Sequence, residues 1–491
     1  MTQVRDDRLE PALVRLIAVV LLGGMLGILN STMVAVAIDP LSKEFGTSIT
    51  TIGWASTGFL LAVTATIPFT SWAVDRFGSK RMWIIGLTVF LLGSLLSATA
   101  WNAGSLIGFR VVQGLAAGIL DPLVLVLLAR GAGPSRAGRV MGLMGVVLSL
   151  GPVLGPVAGG AILQGMSWRW MFLLSVPVGL VALVLAVRVV PSDPPRGTAE
   201  SQVRLDVLGL ALLGPGFAAL VLAMSQSADR TAFAVWQVLL PLILGVVVLI
   251  GYAIHALGVR RIPPLIDLRL FKNTSFTASV TVMTLSGLAT FASLFALPLY
   301  YQQIRGHGTL AAGLLVTPVG LGAALAMPLA GTLSDKIGSR FLAQAGAVVA
   351  ALGGLLLARV SPTANEVWPS LAALVMGMGL GFVGAPTMGS LYRTLPMHLV
   401  PQGSSVLYML NQLGAAIGIA LVTVILKTVG DGDFLKGIHG VYWFAIGTLG
   451  VLLVATLFLP GRADVPPAAS PAGEEPQGVP GQQSVDAPAS S

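Results

Sequence analysis

Gly151-Pro152-Val153-Leu154-Gly155-Pro156-Val157-Ala158-Gly159-Gly160 lies in the middle of a long apolar segment and holds two Gly-Pro pairs four residues apart. In a helix, that spacing puts Gly151, Gly155 and Gly159 on one face, a bare groove that a neighbouring helix can approach closely. Pro152 and Pro156 each remove a backbone donor and press on the carbonyl four residues earlier, which predicts a bend. In water such a helix is costly, since Gly loses about 1 kcal/mol and Pro about 3 kcal/mol against Ala. In a bilayer both residues are tolerated, because neighbouring helices satisfy the freed backbone groups.

The whole chain has this character. Apolar residues fill 55% of 491 positions and charged residues 10%, with a mean hydropathy of +0.88, which is the profile of a polytopic membrane protein. Without cysteine there is no disulfide framework, thiolate metal site or Cys nucleophile. The first apolar segment is too long for a signal-peptide core and no small-residue cleavage site follows it, so it is expected to remain as a span. The net charge of +8 sits in short loops between apolar runs. Membrane orientation accounts for it, and no nucleic-acid partner is expected.

Taking about 20 apolar residues per span, fourteen spans are predicted, near 12–38, 50–73, 82–100, 104–129, 139–163, 170–190, 206–225, 236–257, 276–301, 310–332, 341–359, 368–390, 404–426 and 439–460. With the N-terminus in the cytoplasm, 20 of the 28 Lys and Arg fall inside and 7 outside, with Arg110 within span four. That split favours this orientation, and an even span count returns the C-terminus to the cytoplasm. Residues 461–491, rich in Pro, Ala, Ser, Gly and Gln, read as a disordered tail.

An internal repeat divides the chain. Asp75-Arg76-Phe77-Gly78-Ser79-Lys80 follows span two, and Asp335-Lys336-Ile337-Gly338-Ser339-Arg340 follows span ten. If both mark the same point of a six-span unit, spans one to six and nine to fourteen are related bundles and spans seven and eight are an insertion. The expected divisions are a cytoplasmic N-terminus at 1–11, a first bundle at 12–190, a linker region with the inserted pair at 191–275, a second bundle at 276–460 and the tail. The fold class is therefore an all-α membrane protein of two six-helix bundles plus two inserted helices.

Ionisable groups within spans are expensive and are the first functional candidates. Span four carries Arg110, Gln113, Gly114, Ala117 and Asp121, which at about 100° per residue share one stripe expected to face a polar cavity. Arg110 and Asp121 are separated by roughly 16 Å of helix rise, too far for a direct ion pair. Each must find water, a substrate or another helix. Asp121 is either a carboxylic acid bonded across a helix interface beside Pro122, or a group that takes and releases a proton as the cavity switches sides. Arg110 either anchors backbone carbonyls or helps release a proton from a nearby acid. Asn30, in the middle of span one, lines the same cavity or bonds to a neighbour. Asp75 and Asp335, with their basic neighbours at Gly-containing turns, can cap a helix and bridge to the other bundle, or are simply solvated topology signals. His255, His307, His398 and His439 show no ligand spacing, and no metal site is expected. Residues 259–275 read as an interfacial amphipathic segment. No phosphate-binding Gly-Lys-Ser or Gly-Lys-Thr loop is present, so no ATP drive is expected.

From about residue 16 to 460 the chain resembles the major facilitator superfamily, specifically its fourteen-span drug:proton antiporter branch. Gly151 to Gly160 resembles that branch's span-five antiporter motif at Gly151, Pro152, Gly155, Pro156, Gly159 and Gly160. Arg110-Val111-Val112-Gln113-Gly114 is similar to the span-four Arg-x-x-Gln-Gly motif, whose Arg the family associates with proton transfer. Asp75 to Arg81 resembles the gating loop, with Ser71 where Gly is usual. Trp168 to Phe172 followed by Val176 to Gly179 resembles the entry to span six, and Asn411 to Gly418 resembles the span-thirteen pattern, which brings Gln412 to the cavity. Leu29 to Ala37 resembles the span-one signature, but Asn30 stands where the family has an acid and Ala35 where it has Asn. Asn cannot titrate, so the proton site is expected to have moved to Asp121.

The resemblance implies a proton-driven exporter of small amphipathic or lipophilic compounds in a bacterial inner membrane, working as a monomer by alternating access with the proton gradient in place of a cofactor. In that picture span five packs on the second bundle, and its smooth face seals the bundle interface. Alternatives are a dedicated exporter of one endogenous metabolite or antibiotic, import or uniport, and a membrane sensor or scaffold. An enzyme is not expected, because no nucleophile, paired carboxylates or metal cluster lies within the spans.

Overall fold

The computed structural model describes residues 10–133, 136–193, 204–230, 233–258, 263–363, 365–430 and 432–461. The expected tail from 462 onward, residues 1–9 and the start of the 259–275 segment lie outside them. Fourteen helices are long and apolar enough to cross a membrane, and no strand occurs among the described residues. They are α1 (Pro11–Val36), α2 (Ile49–Phe77), α3 (Ser79–Ala98), α4 (Ala103–Ala132), α5 (Ala137–Gly165), α6 (Trp170–Val189) and the inserted α7 (Val207–Arg230) and α8 (Trp236–Gly258). The second bundle follows as α9 (Thr274–Leu299), α10 (Thr309–Ile337), α11 (Ser339–Leu357), α12 (Val367–Thr394), α13 (Val400–Thr428) and α14 (Phe434–Thr456).

Several ends are written in the local sequence. Asn102 accepts from Ser105 N at 2.7 Å and Ser105 Oγ accepts from Asn102 N at 3.1 Å, a capping box that starts α4. Gly78 and Gly338, at φ 96° and 91°, end α2 and α10 in a region that other residues rarely adopt. The span predicted to reach residue 38 ends at Val36, and a short helix, Ile38–Glu44, follows.

The two bundles repeat one another's pairings. α1 packs on α5 and α6, α2 on α4, and α3 on α4 and α6; α9 packs on α13 and α14, α10 on α12, and α11 on α12 and α14. The bundles meet along two seams, α5 with α10 and α2 with α13, and these also correspond under the repeat. The inserted α7 packs on both α2 and α13, so it covers one seam and leaves the other without an equivalent cover.

The quoted glycine stretch corrects one expectation. α5 does run against the second bundle, but Gly151, Gly155 and Gly159 do not face it. Side chains there would strike Ile28, then Thr32 with Leu29 O at 3.2 Å, then Met33 O at 3.0 Å, all on α1 of the same bundle. The seam with α10 is formed by a different set: Gly142 against Met327 and Pro328, Val153 against Gly320, Val157 against Gly313 and Gly160 against Leu310. Gly151 and Val153 are two residues apart, about 200° around the helix, so the two sets occupy opposite faces. The bend expected from Pro152 and Pro156 does not interrupt α5, which is one continuous helix through both.

A Leu at position 155 must displace Thr32 and the α1 backbone, whereas a Cβ at position 160 meets only Leu310, at 3.8 Å. Gly155→Leu should lower stability by about 1–3 kcal/mol through overpacking, and Gly160→Ala should change it little. Thermal unfolding of the two purified variants in detergent checks this; equal melting temperatures would contradict it.

Candidate functional site: a buried cation, an unpaired acid and an end latch

Arg110 projects into the first bundle and is fully buried. Its Nε donates to Ala55 O of α2 at 3.2 Å, and its Nη1 donates to Gln113 Oε1 at 2.8 Å and to Asn30 Oδ1 of α1 at 2.5 Å. The guanidinium carbon lies 4.1 Å from the Phe59 ring centroid, a cation–π contact that suits a cation held out of water. Asn30 in turn donates to Ser175 Oγ of α6 at 3.2 Å. Asn30 is thus a bonded neighbour of Arg110 and is itself buried.

The span-four stripe does not line one polar cavity. Gly114 packs on Phe59 O and Ala62 of α2, Gln113 packs against Gly93 of α3, and Ala117 is buried. The five residues spread over an arc of about 100°, wide enough for α4 to present them to different neighbours. Asp121 reaches further. A side chain on Gly27 of α1 would lie 3.5 Å from its Oδ1, and α4 packs against α13 of the second bundle, which carries Tyr408. The carboxyl is half-buried, makes no hydrogen bond or ion pair with the described residues, and sits where the bundles adjoin. Asn30 and Gly27 are one turn apart on α1, about 4.5 Å along its axis, so α1 touches both charged sites. Gln412 is half-buried one turn beyond Tyr408. Ser405, one turn before Tyr408, donates to Ile67 O of α2 at 3.3 Å, so this stripe of α13 faces the first bundle.

The loop ends of the bundles are latched. Asp335 accepts from Gly138 N at 3.0 Å and Arg139 N at 2.9 Å, capping α5 of the first bundle from the end of α10 in the second. Arg393 of α12 donates to Asp335 at 2.6 Å and to Ser339 Oγ, holding the carboxylate in place. Arg340 donates to Leu459 O at 2.9 Å. Asp75, Arg76 and Lys336 lie at the corresponding helix ends and are each engaged in an interaction. The other seam is tied at the same end by residues before α9: Ser71 Oγ donates to Leu265 O at 3.1 Å, Tyr252 Oη donates to Ile266 O at 2.8 Å, and Asp267 N donates to Gln402 Oε1 at 3.0 Å.

Sequence reading missed several partners. Asp193 accepts from Ser79 N at 2.9 Å, Ser79 Oγ at 2.7 Å and Lys80 N at 3.2 Å, capping α3, with Arg130 3.7 Å away. Burial pushes this carboxyl up, but the Ser79 and Lys80 bonds and the Arg130 charge outweigh it and hold it below the usual carboxylate range. Arg130 and Arg393 both reach the serine after the glycine turn, Ser79 and Ser339, so extending the repeat to the ends of α4 and α12 would have found them. Asp206, nearly buried, meets His255 at 2.8 Å, where the sequence suggested only a boundary histidine.

Two bundles that repeat each other's pairings, latched at one end and adjoining at an acidic side chain in their membrane part, define a membrane transporter and not an enzyme. The comparisons with known proteins agree. The chain belongs to the major facilitator superfamily, whose family model matches residues 20–419. It is 39% identical over 423 residues to a multidrug resistance protein B homolog of Mycobacterium tuberculosis, covering 86% of this chain and 77% of that one. It is 29% identical over 416 residues to the multidrug export protein EmrB of Haemophilus influenzae (84% and 80% covered), and 26% identical over 459 to the riboflavin transporter RibZ of Clostridioides difficile (91% and 97%). The fold matches the human organic anion transporter MFSD10 (TM-score 0.64, 15% identity, 91% and 100% covered) and the proton:xylose symporter XylE (0.64, 16%, 91% and 96%).

Hydrogen bonds to a charged group are worth about 1.5–3 kcal/mol each. Asp335→Asn, which keeps one acceptor for the α5 N-terminus but replaces the other with a donor and removes the charge, should therefore shift the balance toward the form open at this end by about tenfold or more, read as increased labelling of a cysteine introduced at Ser405. Because the folded Asp193 titrates below its unfolded value, its contribution is full above about pH 4 and is lost as pH falls through the lowered value. Asp193→Asn should remove that part of the acid-induced fall in melting temperature; an unchanged acid profile would contradict the cap.

Proposed function

We propose that the chain is a proton-driven exporter of small amphipathic or lipophilic compounds, exchanging protons for substrate across a bacterial inner membrane. The observation that carries this reading is Asp121: a carboxyl in a membrane helix, with no ion-pair or hydrogen-bond partner among the described residues, on the helix that packs against α13 of the second bundle. An acid held this way gains or loses its charge according to which side of the membrane it can reach. Proton binding shifts the conformational balance as far as its affinity differs between the two forms. Arg110 serves this cycle indirectly, by fixing α1 to α4 through Asn30 one turn from where α1 meets Asp121.

The latch and the linker ties close the end that the charge split places in the cytoplasm, so the proposed cycle breaks the Asp335 and Leu265–Asp267 bonds to admit substrate. Relatives named for multidrug resistance and multidrug export support export of varied compounds. The mixture of Asp121, Gln412 and apolar neighbours suits neutral or singly cationic solutes.

Reconstitution in liposomes with an imposed pH gradient and a panel of lipophilic compounds tests the proposal. Wild type should couple substrate flux to proton flux, and Asp121→Asn should abolish gradient-driven accumulation while retaining substrate binding. Undiminished proton-coupled flux in Asp121→Asn would remove the carboxyl from the mechanism.

A further inference from the structure

Arg110 has no negative partner among the described residues. Its three acceptors, Ala55 O, Asn30 Oδ1 and Gln113 Oε1, are neutral, and the flanking Phe59 and Phe172 rings, 4.1 Å and 5.9 Å from the guanidinium carbon, supply no net charge. Asp121 makes no ion pair with it. A buried charge is strongly disfavoured unless it is both paired and hydrogen-bonded. Two buried donors also lack acceptors, Arg110 Nη2 and Gln113 Nε2, and they belong to residues already bonded to each other through Arg110 Nη1. Orphaned donors on fully buried side chains carry the desolvation cost of an unmade bond.

We propose that Arg110 and Gln113 form a binding site for a small monovalent anion, with Arg110 Nη2 and Gln113 Nε2 as its donors. One guanidinium charge and one amide match a single negative charge. Asn30 is what makes the site necessary: an amide bonds Arg110 but brings no charge. The anion is either a free halide or the carboxylate of a bound solute. The site stands apart from the proton reading, since it concerns what neutralises Arg110 and can be measured without flux.

The test is thermal unfolding of the purified full chain in detergent, at constant ionic strength, with a bulky organic sulfonate replaced stepwise by chloride or by acetate. The melting temperature of wild type should rise saturably by a few degrees, because a ligand that binds only the folded form stabilises it. A response to chloride assigns the site to a free halide, and a response to acetate alone assigns it to a carboxylate. Asn30→Asp and Gln113→Glu each place a fixed carboxylate on Arg110, and whichever of them folds should lose the response. The proposal is overturned if wild type responds to neither anion, leaving water as the partner, or if the variants respond as strongly as wild type.

Discussion

α5 has to lie against two helices at once, α1 behind it and α10 across the seam, and the rest of the architecture depends on how closely it does so. Lipid offers no hydrophobic drive to press helices together, so association rests on van der Waals contact and backbone approach. Glycines supply that approach on both faces. At the latched end three of them converge, with Gly138 touching Gly331 of α10 and Gly389 of α12. Any side chain there would part the bundles just where Asp335 must reach the α5 N-terminus.

Buried apolar surfaces and close glycine contacts hold the helices of each bundle together, and one buried cluster also crosses between the bundles, from α4 and α5 to α9, α12 and α13. Across the latched end that apolar contact is supplemented by a few hydrogen bonds: Asp335 on one seam, Ser71 and Gln402 with the linker on the other. Such bonds can be exchanged for water at an aqueous boundary at small net cost, whereas the apolar contact beside them is lost only if this end opens. The inserted pair, with α7 against α2 and α13, places extra apolar cover over the seam that the linker ties.

The two charges of α4 show how neighbours decide what a charged side chain does. Arg110 is held in the first bundle by three neutral acceptors on Nε and Nη1 and by an aromatic face. Asp121, about three turns away, lies by a bare glycine of α1 on the side of α4 that adjoins the opposite bundle and has no hydrogen-bond or ion-pair partner among the described residues. The first is held still, and the second is left responsive to what reaches the junction.

The fourteen membrane helices and the two-bundle division were legible in the chain, because hydropathy and the Asp-basic-x-Gly-Ser-basic repeat are local properties, and the rarity of intramembrane charge singled out Arg110 and Asp121 as candidates. The helix period also told that Gly151, Gly155 and Gly159 share a face. It could not tell which helix that face meets, and the structure assigns it to α1 instead of α10. Nor could it scatter the span-four stripe among α1, α2 and α3, or bring Asp193 to Ser79 and Arg393 to Asp335. Those pairings join residues distant in sequence. Periodicity specifies directions around one helix, and only packing decides which neighbour stands in each direction.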